Sequence, residues 1–100
     1  MKKRFVLALD QASQEQQEDF RKYVIGAGLN WWHWIPGLWL LIDYRGQWTA
    51  ELLRNKATQF YPGATIFIVE LGENVDTWAG FGPSTGDQNM FPWLFDNWKK

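Results

Sequence analysis

The sequence predicts an α+β fold: a four-stranded antiparallel sheet with two helices on one face and an aromatic C-terminal extension. Three observations favour this class. Short apolar runs alternate with helical patterns, turn dipeptides separate them, and large aromatic side chains are frequent. Aromatic residues make up 18% of the 100 residues, and eight of them are Trp. A chain this short needs bulky side chains or a partner to bury enough apolar surface.

The first strand and the first helix are marked by apolar and capping patterns. Residues Arg4–Leu9 are all apolar after the arginine and predict a strand. Ser13 and Gln16 have the spacing of a capping box, in which two side chains satisfy free N–H groups at a helix start. The helix is therefore predicted over Gln14–Ala27, with glycines closing it.

A hairpin follows this helix. Apolar and aromatic runs at Asn30–Ile35 and Leu38–Tyr44 predict the second and third strands, separated by the turn dipeptide Pro36-Gly37. That dipeptide does not suit the preferred two-residue hairpin turn, so we expect a bulge or a wider loop beside it.

The second half of the chain repeats the pattern of helix and strand. Thr49 is placed to cap a helix over Ala50–Phe60, and Ala64–Leu71 reads as the fourth strand. Residues 72–91 are rich in small polar residues and predict a loop, and Pro92–Trp98 fits a short helix with Pro in its first turn. We divide the chain into a core, residues 1–72, and an aromatic-rich extension, residues 73–100, packed on the core or on a dimer partner.

The resulting order, βαββαβ, is the ferredoxin-like pattern. Right-handed crossovers place the first and third strands side by side at the centre of the sheet, and we take these two strands to run parallel. The second and fourth strands become the edges.

Both faces of the predicted sheet are apolar, although the helices cover one face only. Phe5 and Leu7 alternate with Val6 and Ala8, so the far face needs a cover of its own. We expect the aromatic tail to fold across a face and to extend a homodimer. The tail comprises Trp78, Phe81, Met90, Phe91, Trp93, Leu94, Phe95 and Trp98.

Composition excludes several classes of function. The formal net charge is −1 and the basic residues are few and scattered, which disfavours extended nucleic-acid binding. The absence of Cys excludes disulfides, Cys-ligated zinc and thiol catalysis. No apolar run is long enough to cross a membrane, and the apolar run after the N-terminal charges is too short for a signal peptide. We therefore expect a cytoplasmic protein without a membrane partner.

Two carboxylates and one imidazole are the candidates for chemistry. Asp10 and Asp43 end the two central strands, and if these are parallel both side chains lie near one edge of the sheet. Such a pair could hold Mg²⁺ together with water; alternatively, both are solvated acids at a turn and a strand end. His33 is the only His, and without a Cys or a second His near it we expect a packed or rim residue and no zinc.

Three Trp residues lie on the predicted second strand. Alternation puts Trp32 and Trp34 on one face and Trp31 on the other. Base stacking, sugar stacking and a protein-interface hot spot all fit such a patch, and core packing is the alternative for any single Trp. We take Trp32, Trp34 and Trp78 as the candidate ligand- or partner-binding residues.

Four stretches carry a resemblance to a known family: the strand Arg4–Asp10, Leu38–Tyr44 of the Trp-rich hairpin, Thr49–Asn55, and Thr65–Leu71. Together they resemble the SinR-like relatives of the small CRISPR adaptation protein that bridges the integrase. The resemblance covers about three quarters of the chain and rests on features of the fold. It implies a homodimer joined through sheets and C-terminal segments, and a metal ligand at the position of Asp10. The chain departs from it in its low basic charge and its Trp-rich tail.

These observations lead to one expected function and two alternatives. We expect a non-enzymatic, dimeric binding module, without a cofactor, whose Trp-rich surface holds a protein partner or a small nucleotide-like ligand. The resemblance places such a module in bacterial or phage defence or counter-defence. The alternatives are a metal-dependent nuclease using Asp10, assisted by Asp43 and Mg²⁺, and a structural subunit of an assembly.

Overall fold

The computed structural model describes residues 2–72 and 90–98, and in them the predicted βαββαβ order is confirmed. The elements are β1 (Lys3–Leu9), α1 (Gln14–Gly26), β2 (Asn30–Ile35), β3 (Leu38–Asp43), α2 (Ala50–Phe60), β4 (Ile66–Leu71) and α3 (Met90–Trp93), which continues as a π-helical turn over Leu94–Trp98. We call Met90–Trp98 the C-terminal segment. This arrangement is the α+β, ferredoxin-like class that the sequence predicts.

The four strands form one sheet in the order β2-β3-β1-β4, so the predicted central and edge strands are confirmed. All three neighbouring pairs are antiparallel. The expectation that β1 and β3 run parallel is therefore wrong. The reason is topological: the crossover through α1 leaves β2 parallel to β1, and the hairpin then reverses β3.

Local side-chain caps fix where both long helices begin. The Ser13 hydroxyl accepts from the Gln16 amide N–H at 3.1 Å, and the Gln16 side-chain oxygen accepts from the Ser13 N–H at 2.8 Å. The Thr49 hydroxyl caps α2 by accepting from the Leu52 N–H at 3.1 Å, without a return bond from the leucine side chain. Both predicted helix starts are confirmed, because a cap depends on residues only three positions apart.

The main core lies between the sheet and the two helices. Phe20 of α1 is its aromatic centre, with the ring of Trp39 at 5.1 Å and that of Tyr61 at 5.4 Å, both edge-on. Trp39 is fully buried, so for this Trp core packing is the role. The other buried residues of this cluster are Phe5, Leu7, Leu9, Val24, Leu29, Leu41, Leu53 and Ala57.

The C-terminal segment packs on the far face of the sheet. Trp98 is 4% exposed and lies against Ile42, in a second apolar cluster. Arg4, also buried, places its guanidinium 5.5 Å from the centre of the Trp98 ring and donates to the Trp98 carbonyl at 3.3 Å. Lys2 donates to the Asn97 carbonyl at 2.6 Å. The N-terminal cations thus hold the C-terminal end of the segment on the sheet.

A bulge interrupts the hairpin where the sequence predicts one. Trp32 lies opposite Leu40 and Ile35 lies opposite Leu38, so two residues of β2 face the single residue Trp39. The turn itself touches the end of β1, where the Leu9 N–H donates to the Gly37 carbonyl at 2.8 Å. A Cβ atom on Gly37 would lie 2.5 Å from the Leu9 carbonyl oxygen, so this turn requires glycine.

Gly37→Ala is expected to destabilise the domain by about 1–3 kcal/mol, because main-chain atoms on both sides must move apart. Gly26→Ala is the matched control, since a Cβ there meets nothing within 4 Å and alanine favours a helix. Urea unfolding of both variants measures the difference. Equal stability of the two variants would show that the turn does not constrain the hairpin.

Candidate binding surfaces

The two candidate carboxylates lie at opposite ends of the sheet. Asp43 pairs with Lys3 at the start of β1, whereas Asp10 follows Leu9 at the end of the same strand. Seven residues of extended chain separate the two positions, which is about 23 Å. The expectation that they meet at one edge is wrong, because it depended on parallel central strands.

Each carboxylate instead holds main-chain N–H groups of its own neighbourhood. Asp10 is exposed, and its Oδ1 accepts from the Thr65 N–H at 2.8 Å, which ties the end of β1 to the start of β4. Asp43 is 4% exposed. Its two oxygens accept from the N–H groups of Arg45 at 3.0 Å and Trp48 at 2.7 Å. Both side chains are thus committed to loop structure, and the described residues contain no group of three His, Cys, Asp or Glu side chains able to hold a metal.

His33 packs against the core from the bulge. Its ring stacks on Trp39 with centroids 3.8 Å apart and planes 1° apart, and its Nδ1 lies 2.7 Å from the Leu38 carbonyl oxygen. Burial lowers the pKa of His33, and the bond to Leu38 acts in the opposite direction. The neutral ring with its proton on Nδ1 fits this geometry. His33 therefore fixes the bulged part of β2.

The lowered pKa of His33 predicts that stability falls in mild acid. In the unfolded chain His33 takes up a proton near its ordinary pKa of 6.5, whereas in the folded chain it does so only at a lower pH. The contribution of neutral His33 to the free energy of unfolding is thus fully present above pH 6.5. Below that pH the free energy of unfolding decreases, by at most about 1.4 kcal/mol per pH unit. Urea unfolding across this range measures the slope. Because His33 is the only His, His33→Asn should flatten it, and an unchanged slope would contradict this role.

The bulge separates Trp32 from Trp34. Leu38 and Leu40 share the far face, so their partners Ile35 and Trp32 share it too, and strict alternation is broken between them. The strict alternation on which the expectation of a shared face for Trp32 and Trp34 depended is therefore absent. Trp32 is 4% exposed, whereas Trp34 is 43% exposed. The two indoles cannot sandwich a planar ligand in this conformation, and only Trp34 is accessible.

Trp34 belongs to a short exposed apolar stretch that we call the hairpin tip, residues Trp34–Pro36. All three residues are exposed, with Ile35 at 46%. The tip is held from below, where Gln17 of α1 donates to the Pro36 carbonyl at 2.7 Å. Gln17 in turn accepts from the hydroxyl of Tyr61 at 2.6 Å. Helix α1 and the end of α2 therefore fix the position of the tip.

The strand at the opposite edge of the sheet, β4, is also apolar, but its pairing is regular, whereas that of β2 is interrupted by the bulge. Its register with β1 is unbroken from Arg4↔Leu71 to Leu9↔Ile66. Phe67 is 68% exposed and Val69 is 36% exposed, both on the far face. We call Ile66–Glu70 the β4 edge. It is a straight strand without a bulge, whereas β2 carries one.

Trp48 is a residue whose position the sequence analysis missed. Its N–H is bound by Asp43, and its carbonyl accepts from the Lys3 ammonium at 2.9 Å. It lines a cavity of about 440 Å³, which we call the Trp48 cleft, together with Ala27, Gln47, Leu52, Asn55 and Lys56. No local pattern marks it, because the clamp joins the start of β1 to a loop 45 residues away.

Trp78, the third predicted binding residue, lies outside the residues that the structure describes. No helix within residues 2–72 and 90–98 is long and apolar enough to cross a membrane. Comparison with protein-family models, curated proteins and solved structures finds no match.

Proposed function

We propose that the chain is a small, non-enzymatic and dimeric binding module that presents the hairpin tip to a protein partner. The observation that carries this proposal is the run of three exposed apolar residues, Trp34–Pro36, at the end of β2, next to a turn that hydrogen bonds from Gln17 and Leu9 hold. Exposed apolar runs of this length are unfavourable unless they serve binding. Trp is also the residue most enriched at interface hot spots.

The way the tip is held supports binding by side-chain insertion. The bulge in β2 hinders pairing with an added strand, so a partner would meet side chains more than main-chain groups. Gln17 and the stacked His33 fix the residues on both sides of Trp34 before any partner arrives. A preorganised anchor loses little freedom on binding. The partner that fits is a protein with an apolar pocket deep enough for an indole.

The hydrogen bonds that Asp10 and Asp43 make to main-chain groups support a non-enzymatic role. Asp43 is buried and bonded to two main-chain N–H groups, and Asp10 is bonded to Thr65. A nuclease built on both carboxylates would need them side by side. The setting that we propose, the cytoplasm in bacterial or phage defence or counter-defence, rests on the family resemblance.

Comparative co-purification tests this proposal with a matched control. Trp34→Ser removes the tip's anchor, and Ile25→Ser removes a similar exposed side chain, 51% exposed, from α1. A partner that binds the tip is retained by the unmodified chain and by Ile25→Ser and is lost with Trp34→Ser. Binding is then measured again with both purified proteins, where we expect Trp34→Ser to weaken affinity at least about thirtyfold, the effect of a hot-spot residue.

Two outcomes would overturn the proposal. One is equal binding by Trp34→Ser and Ile25→Ser in the purified system. The other is cleavage of RNA or DNA by the purified protein with Mg²⁺ that Asp10→Asn abolishes, which would establish the nuclease alternative.

The Trp48 cleft favours a nucleotide-like ligand as a second candidate. Its volume of about 440 Å³ is in the range of small-molecule sites, Trp48 offers a ring for stacking, and Lys56 offers a positive charge. Calorimetric titration with nucleoside monophosphates tests it. Lys56→Gln should weaken binding of the phosphates and leave binding of the uncharged nucleosides unchanged; no heat with any of them would exclude this candidate.

A further inference from the structure

We propose that a second copy of this chain pairs with the β4 edge, strand to antiparallel strand, with Ile68 on the two-fold axis. The two sheets would join into one sheet of eight strands. This inference rests on the dimeric part of the proposed function and names the surface and register that part would use.

The main chain of β4 shows which residues are available for pairing. The N–H and carbonyl of Thr65 both bond to Asp10, so Thr65 directs its polar groups towards β1. In an antiparallel strand these directions alternate from residue to residue. Ile66, Ile68 and Glu70 therefore direct their N–H and carbonyl groups outwards, and no strand among the described residues pairs with them.

One register uses all three outward-facing residues. With Ile68 opposite its own copy, Ile66 lies opposite the second copy's Glu70, and Glu70 lies opposite the second copy's Ile66. Each of these pairs exchanges two main-chain hydrogen bonds, about six in total. If the second copy were shifted by two residues in either direction, either Ile66 or Glu70 would lie opposite a residue beyond the end of the second copy's β4.

The side chains agree with this register on the far face of the sheet. Phe67 would lie opposite the second copy's Val69, and Val69 opposite the second copy's Phe67. These are the exposed apolar side chains of the strand, at 68% and 36%. Cross-strand pairs of an aromatic and a β-branched residue stabilise a sheet. The β4 edge also carries no Pro, Lys or bulge, the features that protect an edge from pairing.

Charge complementarity on the helix face supports the same register. Arg54 and Glu51 of α2 both border a hollow of about 300 Å³ that Ile66 and Ile68 also line, and Arg54 is its one basic residue. The second copy's Glu70, opposite Ile66, would lie over this hollow. Arg54 is 55% exposed and lies 3.7 Å from Glu51, so it can turn to a second carboxylate. The two-fold axis repeats this ion pair, giving one at each side of Ile68.

The C-terminal segment has no part in this contact. It packs on the far face of its own chain, where Trp98 contacts Ile42 and lies under the guanidinium of Arg4. The joined sheet would place the two β2 strands at its outer edges, about 34 Å apart over seven strand spacings. The dimer would therefore present two hairpin tips and bind a partner with two sites more tightly than one chain alone.

Disulfide trapping tests the register directly, because the chain contains no Cys of its own. In the proposed pairing the two Ile68 Cα atoms lie about 5.5 Å apart, within the range for a disulfide. Ile68→Cys should thus crosslink to itself under mild oxidation. Ile66→Cys alone should not, because its two copies are about 13 Å apart, but it should crosslink with Glu70→Cys in a mixture. Equal crosslinking of Ile66→Cys and Ile68→Cys, or none in the mixture, would overturn the register.

Charge reversal provides a second test, by sedimentation of the dimer. Arg54→Glu and Glu70→Arg should each weaken dimerisation about tenfold by placing like charges together, and the double variant should restore it. If the chain is monomeric at high micromolar concentration, the inference is overturned, even if binding of the protein partner still requires Trp34. A crosslinked dimer whose partner binding ignores Trp34 overturns the proposed function alone.

Discussion

Trp98→Ala is expected to lower the free energy of unfolding by about 3–5 kcal/mol, a large part of the stability of a 100-residue domain. Trp98 is 4% exposed and covers Ile42 on the far face of the sheet. Its loss opens a cavity there and also uncovers the guanidinium of Arg4, which lies over its ring. Ending the chain after Leu71 removes the same contacts and should cost at least as much.

Urea unfolding measures this effect, with Asp96→Ala as the control because Asp96 is an exposed residue of the same segment. We expect the control to change stability by no more than about 0.5 kcal/mol. If Trp98→Ala were as stable as Asp96→Ala, the C-terminal segment would not belong to the folded domain.

Trp32→Ala and Trp34→Ala are expected to have opposite effects on folding and binding. Trp32 is buried, so its loss should destabilise the chain by about 3–5 kcal/mol. Trp34 is 43% exposed, so its loss should cost only about 1 kcal/mol of stability while it removes the anchor of the hairpin tip.

The thermal midpoint and the affinity for the purified partner should be measured on the same two samples. Trp32→Ala should melt much earlier and, below its midpoint, bind with near-normal affinity. A Trp34→Ala chain that melts as early as Trp32→Ala would make both residues part of the core and leave the hairpin tip without a binding role.

Local patterns in the sequence predicted the elements of the fold well. The capping residues Ser13 and Thr49 placed both helix starts, and α2 has the predicted bounds, Ala50–Phe60. The Pro36-Gly37 turn correctly indicated a bulge. These signals work because each depends on residues a few positions apart, whose geometry is fixed by the main chain itself.

The candidate site was less predictable because it depends on contacts between distant parts of the chain. The direction of β3 relative to β1 decided whether Asp10 and Asp43 could meet, and this follows from the whole topology. A one-residue bulge was enough to break the alternation of β2, and Trp32 is buried whereas Trp34 is exposed. The clamp on Trp48 joins it to Lys3, far away in the sequence. Burial of Arg4 likewise arises only when the C-terminal segment packs on the sheet.

The mass of the complex with the purified partner tests the central claim, that this is a dimeric module binding through its hairpin tips. We predict two copies of each protein with the unmodified chain and with Ile25→Ser, one copy of each with Glu70→Arg, and no complex with Trp34→Ser. A complex that forms with Trp34→Ser as readily as with the unmodified chain would contradict the claim.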